Sequence, residues 1–549
     1  MQMHWWQHAV IYQIYPRSFY DSSGDGIGDL QGIYHKLDYV AGLGVDAVWI
    51  SPFYPSPMKD FGYDISDYCG VDPMFGTLED FKAVLDKAHD LGLKVLIDQV
   101  WCHTADQHPW FVESRSDRTN PKADWYVWED ADETGEPPNN WLSTFHGRAW
   151  SWDETRQQFY LHHFLSEQPA LNWYSPAVQQ AMLDVGRFWL NLGVDGFRFD
   201  VVNFLMHDPK LRDNPPRTDA DSLPAGGTLA LPFFRYVSRY NIGQPQTYDM
   251  LRQIRATLDE YDSVTSLAEI SCAEDAIAEA TKAVGPERLH TAYNSALMTE
   301  EPLTPEHLRQ VISEAKALLS QGGLCWTAGT HDFPRLASRW QKHLSHSVFE
   351  QETFNYMLAV LLLSLPGSCC LYQGDELGLP EAEVPFERMQ DPFGIRNYPE
   401  FLGRDGCRTP MPWQAEVHQY GFTQSGESWL PVSESHKLMA VDQQDKSPHS
   451  LLTKYRQLLH WRRQQPAIGQ SLTIDLIETK PELFGFVRGR DSEQPLLFLL
   501  NFSKSTVNQG LYELPPVKPL WGLPSSGARA FGHYVELPSY GVYIAAVDA

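Results

Sequence analysis

The sequence predicts an α/β protein: a (β/α)8 TIM barrel with a lid domain inserted after strand 3 and a C-terminal antiparallel β-sandwich. Three observations predict this fold class. Short apolar strands alternate with helix-period segments eight times between residues 10 and 463. Three long insertions interrupt the alternation, each after a predicted strand. Beyond residue 465, short runs with strand-like alternation replace the helical segments, which is typical of antiparallel sheets.

Each predicted strand is a short apolar run, and each predicted helix repeats apolar residues at a helical period. The strands span residues 10–15, 47–50, 94–99, 196–200, 264–269, 289–293, 323–328 and 368–372. The helices span residues 30–44, 78–91, 176–192, 249–261, 275–284, 305–319, 350–363 and 451–463. Glycine marks helix ends; Gly193, for example, ends the helix before the fourth strand.

Four segments follow from this pattern. They are the first part of the barrel (1–103), the lid domain (104–173), the remainder of the barrel with a subdomain at about 379–446 (174–465), and the C-terminal sandwich (466–549). Residues 203–247 form a further long loop directly after the fourth strand. These insertions leave from the C-terminal ends of strands, where barrel enzymes build their active sites.

Composition excludes several classes of partner. The net charge of −27 argues against nucleic acid and anionic membranes. We find no apolar run long enough to span a membrane and no signal peptide at residues 1–6. Seven cysteines form an odd set without disulfide or zinc spacing, so reduced thiols in a cytoplasmic protein are expected. We expect a monomer or homodimer that acts on a small molecule.

The fourth strand, Gly196-Phe197-Arg198-Phe199-Asp200, carries the first chemical signal. Side chains alternate across a strand, so Arg198 and Asp200 share one face at its C-terminal end. A cation beside Asp200 is expected to lower the pKa of that carboxyl and keep it ionised, which suits a nucleophile. Taken alone, the pair favours a structural salt bridge.

Other predicted strand ends also carry acids with partners. They are Asp60 after strand two, Asp98 with His103 after strand three, Glu269 at strand five, and His331-Asp332 after strand seven. Carboxylates gathered at one rim repel one another, so such a cluster is a poor way to build stability. Glycosyl transfer needs such a cluster of carboxylates, because one ionised carboxylate attacks the anomeric carbon while a protonated one donates its proton to the leaving oxygen. Neighbouring strands can place Asp200 and Glu269 about 5–5.5 Å apart, as a retaining mechanism requires.

The segment 21–29 has the oxygen-donor spacing of a calcium loop, with glycine at its sixth position. Its candidate ligands are Asp21, Ser23, Asp25, the Ile27 carbonyl and Asp29. The closing glutamate of an EF-hand is absent, because Gly32 stands there. The segment therefore predicts a small structural Ca²⁺ (or Mg²⁺) site, and the alternative is a Gly/Asp turn without metal. No organic cofactor is expected.

Four short segments occur in order along the chain: Asp98-Gln-Val-Trp-Cys-His103, Gly196-Phe-Arg-Phe-Asp200-Val-Val-Asn203, Ala268-Glu269-Ile and Thr330-His331-Asp332. They resemble the four conserved regions of glycoside hydrolase family 13, the α-amylase family. Residues 168–172, 372–376 and 403–413 narrow the resemblance to the oligo-1,6-glucosidase, α-glucosidase and dextran-glucosidase branch. A calcium-like loop at 21–29 is also found in that branch.

The resemblance implies a role for each matching residue. Asp200 would be the nucleophile, Glu269 the general acid/base and Asp332 the acid that stabilises the transition state, with Arg198 orienting Asp200. The implied substrate contacts are His103 and His331 to sugar hydroxyls, Tyr63 under the sugar ring, Asp60 with Arg404 at the closed end, and Phe145, Phe164 and Gln168 from the lid. For Phe145 and Phe164, a place in the lid core is an equal alternative.

Three positions depart from the family pattern. Cys102 and Thr330 stand where the family usually has Asn, and Ala170 replaces an Asp. The first two are supporting positions, so hydrogen bonds around the acids are expected to be rearranged.

Val201, directly after Asp200, bears on the linkage that is cleaved. Val at this position resembles enzymes of the branch that cleave α-1,6 links, whereas Thr or Ala accompanies α-1,4 preference. The expected function is an exo-acting, retaining α-glucosidase that releases glucose from short α-glucosides and accepts α-1,6 links. The alternatives are an α-glucosyltransferase and a maltase with α-1,4 preference. Sucrose isomerisation is disfavoured because no Arg-Leu-Asp-Arg-Asp loop follows Asp332. A non-catalytic role, as in transporter heavy chains of this fold, is disfavoured because the three acids are kept.

Overall fold

The computed structural model describes residues 3–218, 223–224, 227–299, 302–340, 348–513, 515–520 and 526–548. Eleven strands precede residue 373 in these ranges. They are β1 (Val10–Ile14), β2 (Ala47–Ile50), β3 (Lys94–Gln99), β4 (Trp128–Glu129), β5 (Trp150–Asp153), β6 (Gln158–Leu161), β7 (Gly196–Phe199), β8 (Thr265–Ile270), β9 (Thr291–Asn294), β10 (Cys325–Trp326) and β11 (Ser368–Tyr372).

Eight of these strands form one barrel. The sheet order is β10-β11-β1-β2-β3-β7-β8-β9, and neighbouring strands are parallel. A parallel bridge between Ala292 and Leu324 joins β9 to the segment just before β10 and closes the ring. The strands are buried because helices cover the outside of the barrel while side chains fill its interior. The predicted fold class is confirmed.

Fourteen α-helices occur in the described ranges. They are α1 (Leu30–Leu43), α2 (Leu78–Asp90), α3 (Pro109–Ser116), α4 (Pro176–Leu192), α5 (Pro245–Leu258), α6 (Ala276–Ala283), α7 (Pro305–Glu314), α8 (Lys316–Leu319), α9 (Leu336–Arg339), α10 (Val348–Ser364), α11 (Pro392–Asn397), α12 (Val441–Gln444), α13 (Leu451–Arg463) and α14 (Pro466–Gly469). The local sequence explains where many of these helices begin or end. Thr77 and Asp80 form a reciprocal capping box for α2, and Gly193, in the left-handed region, ends α4.

Two predicted elements differ from the structure. The predicted helix 305–319 is divided into α7 and α8, because Ala315 has a ψ of 0° instead of a helical value. Of the predicted strand 323–328, only β10 forms. The chain turns just after β10, where Thr327 Oγ1 donates to the Gly329 carbonyl at 3.0 Å.

The insertion after β3 contains α3 and an antiparallel sheet in the order β4-β6-β5. It contacts the long loop after β7: Trp141 Nε1 donates to the Arg212 carbonyl at 2.9 Å, and Asn140 Nδ2 donates to the Asn214 carbonyl at 2.9 Å. Within that loop, 219–222 and 225–226 lie outside the described residues. Together with 379–446, these excursions surround the C-terminal ends of the barrel strands. The bounds of the four predicted segments stay predictions.

The C-terminal region packs two antiparallel sheets face to face. Its strands are β12 (Ile474–Leu476), β13 (Leu483–Arg488), β14 (Leu496–Asn501), β15 (Val507–Gly510), β16 (Val517–Pro519), β17 (Arg529–Phe531), β18 (Tyr534–Leu537) and β19 (Val542–Val547). One sheet runs β12-β13-β14-β19-β16 and the other β15-β18-β17. Apolar residues from both fill the space between them, including Leu497, Leu499 and Val535. No helix in the described ranges is long and apolar enough to cross a membrane.

Candidate active site

Arg198 on β7 is the centre of the site. Its buried guanidinium donates from Nη1 to Asp98 Oδ1 and Asp200 Oδ1, both at 2.6 Å. Its Nη2 donates to Glu269 Oε2 and, at 2.7 Å, to the Tyr293 hydroxyl. These partners come from β3, β8, β9 and the residue after β7, so four neighbouring strand ends meet on one cation. The planar fork of arginine suits several acceptors at once, and it places Asp200 and Glu269 side by side.

Close packing of β7 on β8 brings these strand ends together. A Cβ on Gly196 would lie 2.3 Å from the Thr265 carbonyl oxygen, so this approach requires glycine. After the strand, Val201 adopts a left-handed conformation with φ 32° and ψ 54°, which costs about 1–3 kcal/mol for a residue other than glycine. Its N–H donates to Glu269 Oε2 at 3.2 Å. The strained turn therefore helps to orient Glu269.

Burial displaces the pKa values of both acids. It raises the pKa of Asp200 to about 7 and the pKa of Glu269 to about 8, while Arg198 opposes both shifts. Arg198 does lower the pKa of Asp200, as expected, but the expected net result, a pKa below the usual range, is wrong because lost hydration outweighs the attraction of the cation. Both pKa values are raised well above the usual range, so the pair of acids can share one proton near neutral pH, which fits an acid beside a nucleophile.

Asp332 is the third acid and is held ionised. Arg408 Nη2 donates to Asp332 Oδ1 at 2.8 Å, Arg404 Nη1 donates to it at 3.1 Å, and His331 Nε2 lies 3.2 Å from Oδ2. Burial opposes ionisation, but His331, Arg408 and Arg404 together hold the pKa of Asp332 well below its usual range. Gln13 Nε2 lies 2.7 Å from His331 Nδ1, which leaves the hydrogen of a neutral His331 on Nε2, facing Asp332.

One end of the site is closed by a second ion-pair network. Arg404 Nη2 donates to Asp60 Oδ1 and to Asp391 Oδ1, both at 2.7 Å. Arg404 Nε donates to Asp391 Oδ2 at 3.0 Å, so Asp391 binds the guanidinium through both oxygens. Gln168 Nε2 donates to Asp60 Oδ2 at 3.1 Å from the lid side. These contacts fix charged groups at the end of the cavity.

Tyr63 and His103 form a wall between these networks. The Tyr63 ring stacks on His331 at 5.3 Å with an angle of 8° between the planes. His103 Nε2 lies 2.9 Å from the Tyr63 carbonyl oxygen, and burial lowers the pKa of His103 to about 4, so its ring is neutral. Cys102 Sγ contacts His103 Nδ1 at 2.9 Å. At the other departure from the family pattern, Thr330 Oγ1 accepts from the Asp332 N–H at 3.2 Å.

A cavity at the C-terminal ends of the barrel strands joins these groups. Among the predicted site residues, those that line it are Asp60, Tyr63, His103, Phe145, Phe164, Asp200, Val201, Glu269, Asp332 and Arg404. Gln168, Arg198 and His331 are buried behind that lining, where they hold its charged groups. Phe145 and Phe164 thus face the cavity; Phe145 also lies under the Arg404 guanidinium at 4.8 Å. The lining also includes apolar side chains of the excursions, among them Leu231, Phe234, Phe393 and Phe401.

Comparison with known proteins identifies the family. The α-amylase catalytic domain matches residues 13–471. The chain belongs to the α-amylase family. A probable α-glucosidase of Rhizobium meliloti (strain 1021) is 46% identical over 548 residues, covering 98% of this chain and 97% of that protein. An oligo-1,6-glucosidase of Heyndrickxia coagulans is 37% identical over 542 residues, covering 92% of this chain and 93% of that protein. The crystal structure of an α-glucosyl transfer enzyme, XgtA, superposes with a TM-score of 0.95 at 46% identity over 100% of both chains.

The resemblance to this family that the four sequence segments indicated is confirmed. The chain is an enzyme, a glucosidase of glycoside hydrolase family 13. The linkage that it cleaves and the role of each residue go further than these similarities and are proposals.

The predicted cation site in the loop 21–29 stays a prediction, and the contacts of its candidate ligands are as follows. Asp29 accepts from Ser22 N, Ser22 Oγ, Ser23 N and Gly32 N at 2.6–3.2 Å. These four donors fill the lone pairs of the carboxylate, so Asp29 caps α1 and is not a free ligand. Asp21 accepts from the Gly24 and Gly26 N–H groups, each at 2.7 Å. In the described residues, no three His, Cys, Asp or Glu side chains converge in a way that could hold a metal ion.

Sequence reasoning missed three residues of this family 13 site. Tyr293 ends a predicted strand, and that position alone could have indicated it. Arg408 lies within the segment 403–413 that resembles the branch, four residues after Arg404. Asp391 gives no such signal, because it lies at the start of the short helix α11 in an irregular excursion. Its role is visible through its contact with Arg404.

Proposed function

We propose that this glucosidase is exo-acting and retaining, and that it releases glucose from the non-reducing end of short α-glucosides. One observation carries the proposal: Arg198 holds Asp200 and Glu269 on its two terminal nitrogens, beside a cavity whose end is closed by Arg404, Asp60 and Asp391. Two acids at one cation serve covalent glycosyl transfer, and the closed end suits a single terminal sugar.

In the proposed mechanism, a terminal glucose lies between Tyr63 and the acids, with its hydroxyls on Asp332, His103, Asp60 and Arg404. Asp200 attacks the anomeric carbon while Glu269 gives its proton to the leaving oxygen. The glucosyl group is then bound to Asp200. Glu269, now ionised, takes a proton from water as the water oxygen bonds to the anomeric carbon and the bond from that carbon to Asp200 breaks, which releases Asp200 as a carboxylate. Asp332 stabilises the positive charge that develops on the sugar ring in both steps.

Val201 supports acceptance of α-1,6 links within this proposal. It lines the cavity next to Asp200, and its strained backbone fixes the direction of its side chain. A branched apolar wall there changes which aglycone angle fits, with an effect of about 1–3 kcal/mol. The oligo-1,6-glucosidase similarity favours the same preference. We expect kcat/KM for isomaltose to equal or exceed kcat/KM for maltose, and a strong preference for maltose would contradict it.

Transfer of glucose to an alcohol is the second candidate function. The covalent intermediate reacts with whichever hydroxyl reaches it, and the structurally similar XgtA is an α-glucosyl transfer enzyme. Apolar side chains in the cavity lining, among them Val201, Leu231 and Phe234, offer contact surface to the carbon skeleton of an alcohol acceptor.

For the loop 21–29, we propose a cation site with one candidate ligand fewer than the sequence predicts. With Asp29 saturated, the candidate oxygen donors for Ca²⁺ (or Mg²⁺) are Asp21, Ser23, Asp25 and the Ile27 carbonyl. Thermal unfolding with EDTA and with excess calcium tests it: we expect a higher Tm with calcium, and loss of that increment in Asp25→Asn. Equal Tm values under both conditions would reject the site.

The central test is the pair Asp200→Asn and Glu269→Gln, with the exposed Asp86→Asn on α2 as a matched control. We expect Asp200→Asn to lose at least about 10³-fold in kcat on maltose and isomaltose while its circular dichroism stays native. In wild type, NMR of the first product should show α-glucose, because retention keeps the anomeric configuration. Release of β-glucose, or an active Asp200→Asn, would refute the mechanism.

A further inference from the structure

The two histidines beside the acids share one arrangement. His103 and His331 are both buried, and burial lowers the pKa of each ring, so both rings are neutral. His103 Nε2 lies 2.9 Å from the Tyr63 carbonyl oxygen, and His331 Nε2 lies 3.2 Å from Asp332 Oδ2. A carbonyl and an ionised carboxylate can only accept hydrogen bonds. Both rings therefore carry their single N–H hydrogen on Nε2.

The Nδ1 atom of each ring contacts a buried side chain that can donate. Cys102 Sγ lies 2.9 Å from His103 Nδ1, and Gln13 Nε2 lies 2.7 Å from His331 Nδ1. Burial raises the pKa of Cys102 well above its usual range, so its thiol keeps the hydrogen that it donates. Cys102 stands where the family usually has Asn, and a thiol and an amide both offer a donor. The substitution therefore keeps a donor at this position.

The Gln13 amide has its nitrogen toward the histidine at a cost. Gln13 Nε2 also donates to Ser51 Oγ at 3.2 Å, whereas Gln13 Oε1 is buried and has no hydrogen-bond partner among the described residues. In the reverse orientation, the amide oxygen would face Nδ1 and would require the hydrogen of His331 on that atom. The lone pair of Nε2 would then face the carboxylate of Asp332, and two acceptors repel. Directing the amide nitrogen to His331 explains the unpartnered oxygen.

Stacking holds the plane of the His331 ring but does not determine which nitrogen carries the hydrogen. The ring stacks on Tyr15 with centroids 5.5 Å apart and on Tyr63 with centroids 5.3 Å apart. Either tautomer has the same flat ring and would stack equally well. The hydrogen bond from Gln13 therefore supplies what the stacking cannot.

We infer that Gln13 and Cys102 are positioning residues that keep the hydrogen of both histidines on Nε2. Neither occurs among the described residues that line the cavity, so each acts through the histidine that it contacts. The Nε2–H of His331 then faces Asp332, and the Nε2–H of His103 holds the Tyr63 carbonyl.

This inference rests on the proposed function, in which Asp332 stabilises the transition state and Tyr63 contacts the bound glucose. Loss of the Gln13 donor should therefore act mainly on kcat. Loss of the Cys102 donor should act mainly on KM, because it loosens a wall that contacts the sugar before reaction.

The direct test is nitrogen-15 NMR of wild-type enzyme with isotope-labelled histidine rings. Spectra of His103→Gln and His331→Gln assign the two rings among the 20 histidines. We expect both rings to be neutral near neutral pH, with the hydrogen on Nε2. In Cys102→Ala and Gln13→Met, the ring concerned should also populate the other tautomer. A wild-type ring with its hydrogen on Nδ1 would overturn the inference, and this spectrum decides if a variant does not fold.

Gln13→Glu reverses the contact, because its carboxylate accepts from Nδ1 and draws the hydrogen away from Asp332. We expect kcat on maltose to fall by at least about 10²-fold, and by about tenfold in Gln13→Met, which has a similar shape but no donor. The matched control is Gln99→Glu. Gln99 is also buried on a barrel strand, but its Oε1 accepts from Trp101 Nε1 at 2.7 Å, a hydrogen bond that a carboxylate keeps. A kcat of Gln13→Glu equal to that of Gln99→Glu would overturn the inference.

Cys102→Ser keeps a donor and Cys102→Ala removes it, so the pair separates the hydrogen bond from packing. We expect KM for maltose to rise at least about fivefold in Cys102→Ala with kcat nearly unchanged, and to stay within about twofold of wild type in Cys102→Ser. Equal KM values in the two variants would count against the inference. An active Asp200→Asn would instead refute the proposed function, whereas the wild-type spectrum reports the two tautomers independently of activity.

Discussion

The two ends of the cavity are built on opposite principles. At the glucose end, Asp98, Asp200, Glu269 and Tyr293 meet on Arg198 at the ends of consecutive barrel strands, and their ladder hydrogen bonds fix their spacing. In the part of the lining that we propose faces the aglycone, side chains come from loops of the two excursions and meet through apolar packing. We therefore propose that the barrel supplies the chemistry and that the insertions influence which partner is attached to the glucose. Changes at the first end should affect every substrate alike, and changes at the second should alter ratios between substrates.

The largest effect is expected for Arg198→Lys. A lysine keeps the positive charge but cannot donate to Asp98, Asp200 and Glu269 together, so the two acids lose their common support. We expect kcat to fall by about 10²–10³-fold on maltose, isomaltose and benzyl α-glucoside alike. Arg187→Lys is the matched control, because Arg187 forms an exposed ion pair with Glu260. A loss confined to one aglycone would break the proposed division between the two ends.

The pH dependence of kcat/KM should be a narrow bell with apparent limbs at about 7 and about 8. Below the first value Asp200 is protonated and cannot attack, and above the second Glu269 has lost the proton that it must donate. The two values belong to the coupled pair of acids. Because both acids lie at the glucose end, the limbs should be the same for maltose, isomaltose and benzyl α-glucoside. Limbs that move with the aglycone would contradict this assignment.

Asp391→Asn tests the closed end. The carboxylate of Asp391 accepts from Arg404 Nε, Nη2 and backbone N, so its loss should loosen the guanidinium that faces Asp60 and Asp332. We expect kcat/KM to fall about tenfold on all short α-glucosides, the size expected for losing a hydrogen bond to a charged group. The control Asp445→Asn removes an exposed ion pair with Arg456. A fall in Asp391→Asn that differs between maltose and isomaltose would place Asp391 in aglycone selection.

This contrast also explains what the sequence could reveal. The barrel was predictable because each strand and helix has a local periodic pattern, and acids at strand ends must meet at one rim. Asp391 and the cluster of Leu231, Phe234 and Phe401 were not predictable, because irregular excursions carry no period that brings distant residues together. The direction of the Asp200 pKa shift was also beyond the sequence, since it depends on complete burial as well as on the visible neighbour Arg198.

The smallest effect is expected for Val201→Thr, which changes the boundary between the two ends. Threonine has nearly the same shape and is also β-branched, so the left-handed backbone and the N–H donated to Glu269 should persist. A hydroxyl replaces one methyl group on the wall next to the leaving group. We expect the ratio of kcat/KM for isomaltose to that for maltose to fall by about threefold to tenfold, within the discrimination that one side-chain contact supplies. The limbs of the pH profile should stay in place, because both acids keep their contacts. A variant in which the limbs moved while the ratio stayed constant would show that Val201 acts through Glu269 and not as a wall for the aglycone.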